Sequence, residues 1–154
     1  MAAKFGLPPG ADAANIVLSA MQLLGKQHID YTIFMRGLCE FDSADGALNL
    51  PLRDLFLDRT AFDAWATQYA AALRAHALPD TERRLAMRQV NPKYILRNHL
   101  AEVAIRRAAD HHDYSEIERL YTLLTKPYDE HPGFETYAQE PPDWAKQIEV
   151  SCSS

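Results

Sequence analysis

Thr60-Ala-Phe-Asp-Ala-Trp-Ala-Thr-Gln-Tyr-Ala-Ala-Ala-Leu73 is the stretch on which the fold class turns. Phe62, Trp65, Ala66, Tyr69 and Leu73 recur at steps of three and four, which gathers them on one face of an α-helix. Thr60 is placed to open that helix, and Asp63 follows three residues on in near capping-box spacing. The apolar–polar alternation of a half-buried strand is missing here and elsewhere in the sequence.

The same helical period extends in both directions. Upstream, Asp12 is expected to cap a helix carrying Ile16, Val17, Ala20, Leu23 and Leu24, with Gly25 close to its end. Asp30 is expected to cap the next, which aligns Phe34, Leu38 and Phe41. Asp42 to Pro51 reads as a polar, glycine-containing loop ending in proline. Downstream, Pro79-Asp80 starts a helix that Asn91-Pro92 ends, because a residue before proline is pushed out of the helical region. Leu96, Leu100, Val103, Ala104 and Ala108 mark another. Asp113-Tyr-Ser-Glu116 has capping-box spacing, and Ile117, Leu120, Tyr121 and Leu124 follow on one face. The prediction is an all-α protein, an irregular bundle of six or seven helices.

The character changes after Lys126. Prolines at 127, 132, 141 and 142 interrupt any long element, so residues 127–154 are expected to form a mostly irregular tail with short helical turns. Phe134, Tyr137 and Trp144 favour a tail strapped over a larger body, since aromatic side chains bury much area. The expected division is therefore a helical domain over 1–126 and a tail over 127–154.

Composition agrees with a globular chain: 154 residues, 47% hydrophobic and 24% charged. The net charge of −5 argues against nucleic acid as the main partner. That charge is uneven: −2 over residues 1–78, +3 over 79–110 and −6 over 111–154, so the basic middle and acidic end are expected to pack together or to meet different neighbours. No apolar run approaches the ~18–20 residues of a membrane span, and the first residues lack the apolar core of a secretory signal. Two cysteines, Cys39 and Cys152, far apart and in no CxxC pair, fit a reducing compartment.

GxGxxG, GxxxxGK[ST], HRD and DFG are all missing. Leu52-Arg53-Asp54 has the look of a kinase catalytic-loop fragment, but no suitably placed Asn follows. His111-His112-Asp113 is the densest metal-like cluster, yet adjacent side chains point apart and HExxH spacing is absent, so a polar loop with a helix cap is expected. His99 reads as a packed or surface residue of its helix, and Asp42, Asp45 and Asn49 lack EF-hand spacing. Arg83, Arg84, Arg88, Lys93, Arg97, Arg106 and Arg107 form a basic set expected to make intramolecular ion pairs, with Arg97 as a structural clamp. Cys39 is expected to be buried and inert. Cys152, between serines near the end, is either an inert exposed cysteine or a thiol able to reach a distant partner, and pairing with Cys39 is not suggested by spacing.

Several segments carry a resemblance. Asn91-Pro-Lys-Tyr-Ile-Leu-Arg-Asn-His-Leu100, Lys126-Pro-Tyr-Asp-Glu130, Pro141-Pro-Asp-Trp144 and the closing Ser151-Cys-Ser-Ser154 resemble the C-terminal end of the selenoprotein O (SelO/YdiU) family. Ala3-Lys-Phe-Gly-Leu7 is similar to the point where that family's kinase-like body gives way to its helical region. Asp30-Tyr-Thr-Ile-Phe34 is similar to its DYTxFF stretch, with Met35 for the second Phe. The family's members resemble pseudokinases and transfer AMP from ATP to proteins. The resemblance implies that Cys152 stands at the family's terminal redox position, where many animal members hold selenocysteine, and that it pairs with a cysteine in the activation loop. It also implies a bacterial-type cytoplasmic protein (mitochondrial if eukaryotic) and a partner in the kinase-like catalytic domain of the same protein. ATP and Mg²⁺ belong to that body; this chain is expected to hold no cofactor, metal or catalytic residue and to self-associate when isolated. The rival expectation is a free-standing helical interaction module.

Overall fold

In the computed structural model, residues 1–148 are described. Among them are seven α-helices and no strand: α1 Ala11–Gln27, α2 Tyr31–Leu38, α3 Leu50–Arg53, α4 Arg59–Ala75, α5 Asp80–Arg88, α6 Asn98–His111 and α7 Ser115–Thr125. Short 3₁₀ turns occupy Ala2–Phe5, Glu135–Ala138 and Asp143–Gln147. The fold is all-α, as the periodicity predicts. The chain forms two compact units, Met1–Pro92 and Lys93–Ser154. Contact density thus groups the last two helices with the tail, whereas proline content changes only at Pro127; the two boundaries measure different things.

The first unit is organised by α4. Phe62, Trp65, Tyr69 and Leu73 are all buried, and the rings form a continuous column: Phe62 stacks on Phe56 at 4.9 Å, and Trp65 stacks on Tyr69 at 5.0 Å. Edge contacts from Phe34 to Trp65 (5.7 Å) and from Phe41 to Tyr69 (4.8 Å) tie α2 and its following turn to this column. The polar ends of the rings are satisfied, since Tyr69 Oη donates to the Phe5 carbonyl at 2.7 Å and Trp65 Nε1 to the Ile16 carbonyl at 3.2 Å. Emptying one such site, as in Phe62→Ala, is of the kind that costs about 3–5 kcal/mol.

The caps differ from expectation in α1, α4 and α7; in α7 the cap position is Tyr114, with no side-chain cap bond, in place of the Asp113–Glu116 capping box. At α4 the cap is Asp58, whose carboxylate accepts from the Ala61 amide at 3.0 Å, and Thr60 lies inside the helix. A carboxylate just ahead of the first turn both satisfies an orphan amide and faces the positive end of the dipole. Asp63 is engaged elsewhere, by both nitrogens of Arg53 at 2.7 and 2.9 Å. In α1, Gly10 occupies the cap and Asp12 lies in the first turn. That helix also runs past Gly25 to Gln27, where His28 takes the left-handed conformation (φ 55°). The Ile29 amide then bonds the Leu24 carbonyl at 3.0 Å, a Schellman closure that makes a glycine at 25 unnecessary. Asp30 caps α2 as expected, accepting from the Ile33 amide at 2.9 Å. Pro51 falls within the first turn of α3 and so does not end the preceding loop, a place where its missing N–H is harmless.

In the second unit α6 and α7 form a hairpin whose buried residues include Ala104, Leu120 and Leu123, with Tyr94 ahead of them. Leu96 precedes α6 and is exposed. On α7 the buried residues are Glu116, Leu120 and Leu123, while Ile117 and Tyr121 face solvent. Leu120 of the expected face is buried, but Glu116 and Leu123 lie inside in place of Ile117 and Tyr121, with Glu116 held by polar partners described next.

Candidate functional site

Cys152, the expected redox thiol, lies outside the described residues. The segment leading to it is described as far as Ile148, and within the second unit it meets residues 93–94, α7 and α6 at three successive places. Proline at 127 leaves its carbonyl free to accept from two amides, Lys93 (2.8 Å) and Tyr94 (3.2 Å). The Lys93 ammonium pairs with Glu130; burial works against its charge, but Glu130 and then Tyr94 together outweigh burial and raise its pKa. Tyr94 meets the His131 ring edge-on at 5.3 Å, and His131 Nε2 bonds the Lys126 carbonyl at 3.1 Å.

The second fastening is Tyr137, in the Glu135–Ala138 turn. Its hydroxyl donates to Glu116 Oε1 at 2.6 Å, while Arg119 donates to Oε2 at 3.0 Å. Burial, reinforced by the Glu116 carboxylate, pushes the Tyr137 hydroxyl pKa up, so it stays a donor. Phe134 packs on Tyr137 at 5.8 Å. Third, Trp144 meets the His99 imidazole edge-on at 6.0 Å. His99 is buried, its Nδ1 has no hydrogen-bond partner, and burial followed by the nearby Arg97 charge lowers its pKa. Of the three aromatic residues of the tail, Tyr137 and Trp144 thus reach α7 and α6, whereas Phe134 packs on Tyr137 within the tail and Trp144 remains 49% exposed. Glu116 and His99 as the tail's anchors were not legible: the first reads as a capping-box acid and the second as an ordinary helical polar residue.

The other candidates have structural employment. His111 ends α6 and His112 is its left-handed cap (φ 52°); both are exposed. Asp113 accepts from the Ser115 amide at 3.0 Å, a bond that lowers its pKa. Leu52 is buried, Arg53 is held by Asp63, and Asp54 pairs with Arg59 at 2.9 Å. Asn49, with φ 48°, clamps its loop by accepting from the Asp42 amide at 2.7 Å.

Arg84 and Arg88 share Glu40 at 3.0 and 2.6 Å, Arg106 pairs with Glu102 at 2.6 Å, and Arg107 lies 3.7 Å from Glu116. Arg83, only 1% exposed, pairs with Asp80 and donates to the Phe41 carbonyl. The basic set is therefore spent largely on internal ion pairs; Arg97 is buried at the start of α6. Cys39 is buried, its thiol contacts the Met35 carbonyl at 3.5 Å and the Asn91 amide at 3.7 Å, and burial raises its pKa. Among the described residues no three His, Cys, Asp or Glu side chains gather as a metal set. No helix among them is long and apolar enough to cross a membrane.

A protein nucleotidyltransferase YdiU of Thiobacillus denitrificans is 67% identical over 154 residues, covering 100% of this chain and 32% of that protein. Proteins of the same name from Cupriavidus pinatubonensis and Burkholderia vietnamiensis are 54% and 51% identical, with 99% and 100% of this chain and 30% of each relative covered. The chain spans about a third of the length of the curated relatives it matches. The profile of the family described as protein adenylyltransferase SelO matches residues 1–125, and with that match the chain belongs to the SelO family.

Proposed function

We propose that this chain is the C-terminal helical region of a SelO-type protein adenylyltransferase. In this reading it buttresses the catalytic lobes and carries Cys152 as a redox-regulatory thiol. The observation that carries it is the end-to-end match of this chain to only 32% of a nucleotidyltransferase 67% identical to it. Transfer of AMP from ATP to protein hydroxyls, with the ATP and Mg²⁺ it requires, is assigned to the kinase-like body outside these residues.

The contribution of this chain is positional. Tyr137 on Glu116 and Trp144 against His99 fix the path of the tail up to a point eight residues before Cys152. The free thiol leaves the activation loop mobile; a disulfide between the two ties the loop to the strap, with two electrons and two protons passing to a thiol oxidant. The acidic charge of the chain and its cysteine usage support a cytoplasmic protein that does not bind nucleic acid. The missing body would also leave apolar surface uncovered, so the isolated chain is expected to self-associate as concentration rises.

The test is disulfide mapping by mass spectrometry on the full-length protein, with and without reductant, alongside its AMP-transfer rate. A Cys152-containing disulfide that forms under oxidant and changes the rate supports the reading. A Cys152 that stays a free thiol under oxidising conditions removes the redox role.

A further inference from the structure

The apolar residues of α7 span more of the helix than the second unit buries. Leu120 and Leu123 are buried beside Glu116, but Tyr114, Ile117 and Tyr121 are 56%, 44% and 71% exposed. Tyr114 immediately precedes the helix, and the three stand at i, i+3 and i+7. At 3.6 residues per turn they form one row, roughly a third of a turn from the buried row. Leu124, half-buried, extends it. The apolar positions from Leu123 round to Tyr114 cover about half the helix circumference, wider than the ~100° stripe that one core requires. The unit's thin core points the same way, because Ala104, Leu120, Leu123 and Tyr94 share the interior with Arg97, His99 and Glu116.

We propose that the Tyr114–Ile117–Tyr121 face of α7 is the docking surface for the polypeptide that the longer relatives carry beyond the matched third. This rests on the reading that the chain is one region of a longer adenylyltransferase. The occupant follows from size and charge. Relatives matched along the whole chain have about two-thirds of their length outside the match. Residues 111–154 hold nine acids against three bases, and Glu118 is exposed on α7 beside the row. The docking partner is therefore an apolar patch edged with Lys or Arg, in the same protein.

The experiment places this chain in the Thiobacillus denitrificans relative in exchange for the matching third. Hydroxyl-radical oxidation of Tyr121 is then compared between that full-length protein and the isolated chain. Protection of at least about ten-fold in the full-length protein, abolished by Ile117→Asp with Tyr121 retained, is expected. Leu57→Asp, at a leucine 95% exposed in the first unit, is the control that leaves protection unchanged. Equal oxidation in the two proteins overturns the proposal. So does protection that appears only in the isolated chain at high concentration and disappears with Ile117→Asp, since the occupant is then a second copy. A full-length protein that transfers AMP while Tyr121 is unprotected sinks the docking face and leaves the functional reading standing. One that neither transfers AMP nor protects Tyr121 sinks both.

Discussion

The Tyr137 hydroxyl lies 2.6 Å from Glu116 Oε1, so a residue of the tail supplies one of two hydrogen bonds to a carboxylate that is only 5% exposed. A buried carboxylate is costly unless its oxygens are bonded. The bond therefore acts in both directions: it holds the tail down and it makes burial of Glu116 tolerable.

Tyr137→Phe keeps the ring and deletes only that bond. The expected cost is about 1–2 kcal/mol in urea denaturation, within the range for leaving a partly shielded polar group under-bonded. Glu116→Gln in the same background should cost less than it does alone, since the lost partner is already gone. Additive effects in that double-mutant cycle would mean the two residues do not hold each other.

His99 gives the second unit a pH dependence. Its pKa is lowered in the fold by burial and then by the Arg97 charge, and an N–H formed at Nδ1 has no hydrogen-bond acceptor. The unfolded chain then binds that proton more readily than the folded one, so stability rises with pH through this window. The contribution is complete above the unfolded value near 6.5 and falls as pH drops below it. Chemical denaturation followed by Trp144 fluorescence should show this loss, and His99→Phe should flatten it. An unchanged slope in the variant would assign the pH dependence to another group.

How legible this was varied with the kind of signal. Phe62, Trp65, Tyr69 and Leu73 were readable because a helix that faces one large core writes its period into the sequence, and the structure buries all four. The α7 face was only half legible: Leu120 is buried as its spacing suggests, but Ile117 and Tyr121 are as apolar as the residues inside, and the spacing carries no sign that Glu116 meets Tyr137 there. Caps were partly legible. Asp30 caps its helix as expected, whereas the α4 cap is Asp58, two residues before the expected Thr60, a difference below what spacing resolves.

Those two rival caps can be separated directly. Asp58→Ala should cost about 0.5–2 kcal/mol, because it orphans the Ala61 amide at the start of the helix that carries the aromatic column. Thr60→Ala, inside the helix, should change stability by less than about 0.5 kcal/mol, as Ala is the better helix former. Thermal melts of both variants decide it; the reverse order would restore Thr60 as the cap.

Gly6 offers the sharpest test of the first unit's packing. Its φ of 63° is left-handed, and a Cβ there would sit 2.6 Å from Arg83 Cγ and 2.8 Å from Met87 Sδ. Arg83 has little freedom to yield, because its guanidinium is committed to Asp80 and to the Phe41 carbonyl. Gly6→Ala thus combines backbone strain with displacement of a buried cation, and is expected to cost more than about 1 kcal/mol. Arg83→Met should relieve much of the penalty in the Gly6→Ala background, since a flexible thioether adapts where the fixed guanidinium does not. If Gly6→Ala is just as damaging in the Arg83→Met protein, the backbone conformation alone requires the glycine, and the close approach of Arg83 is incidental.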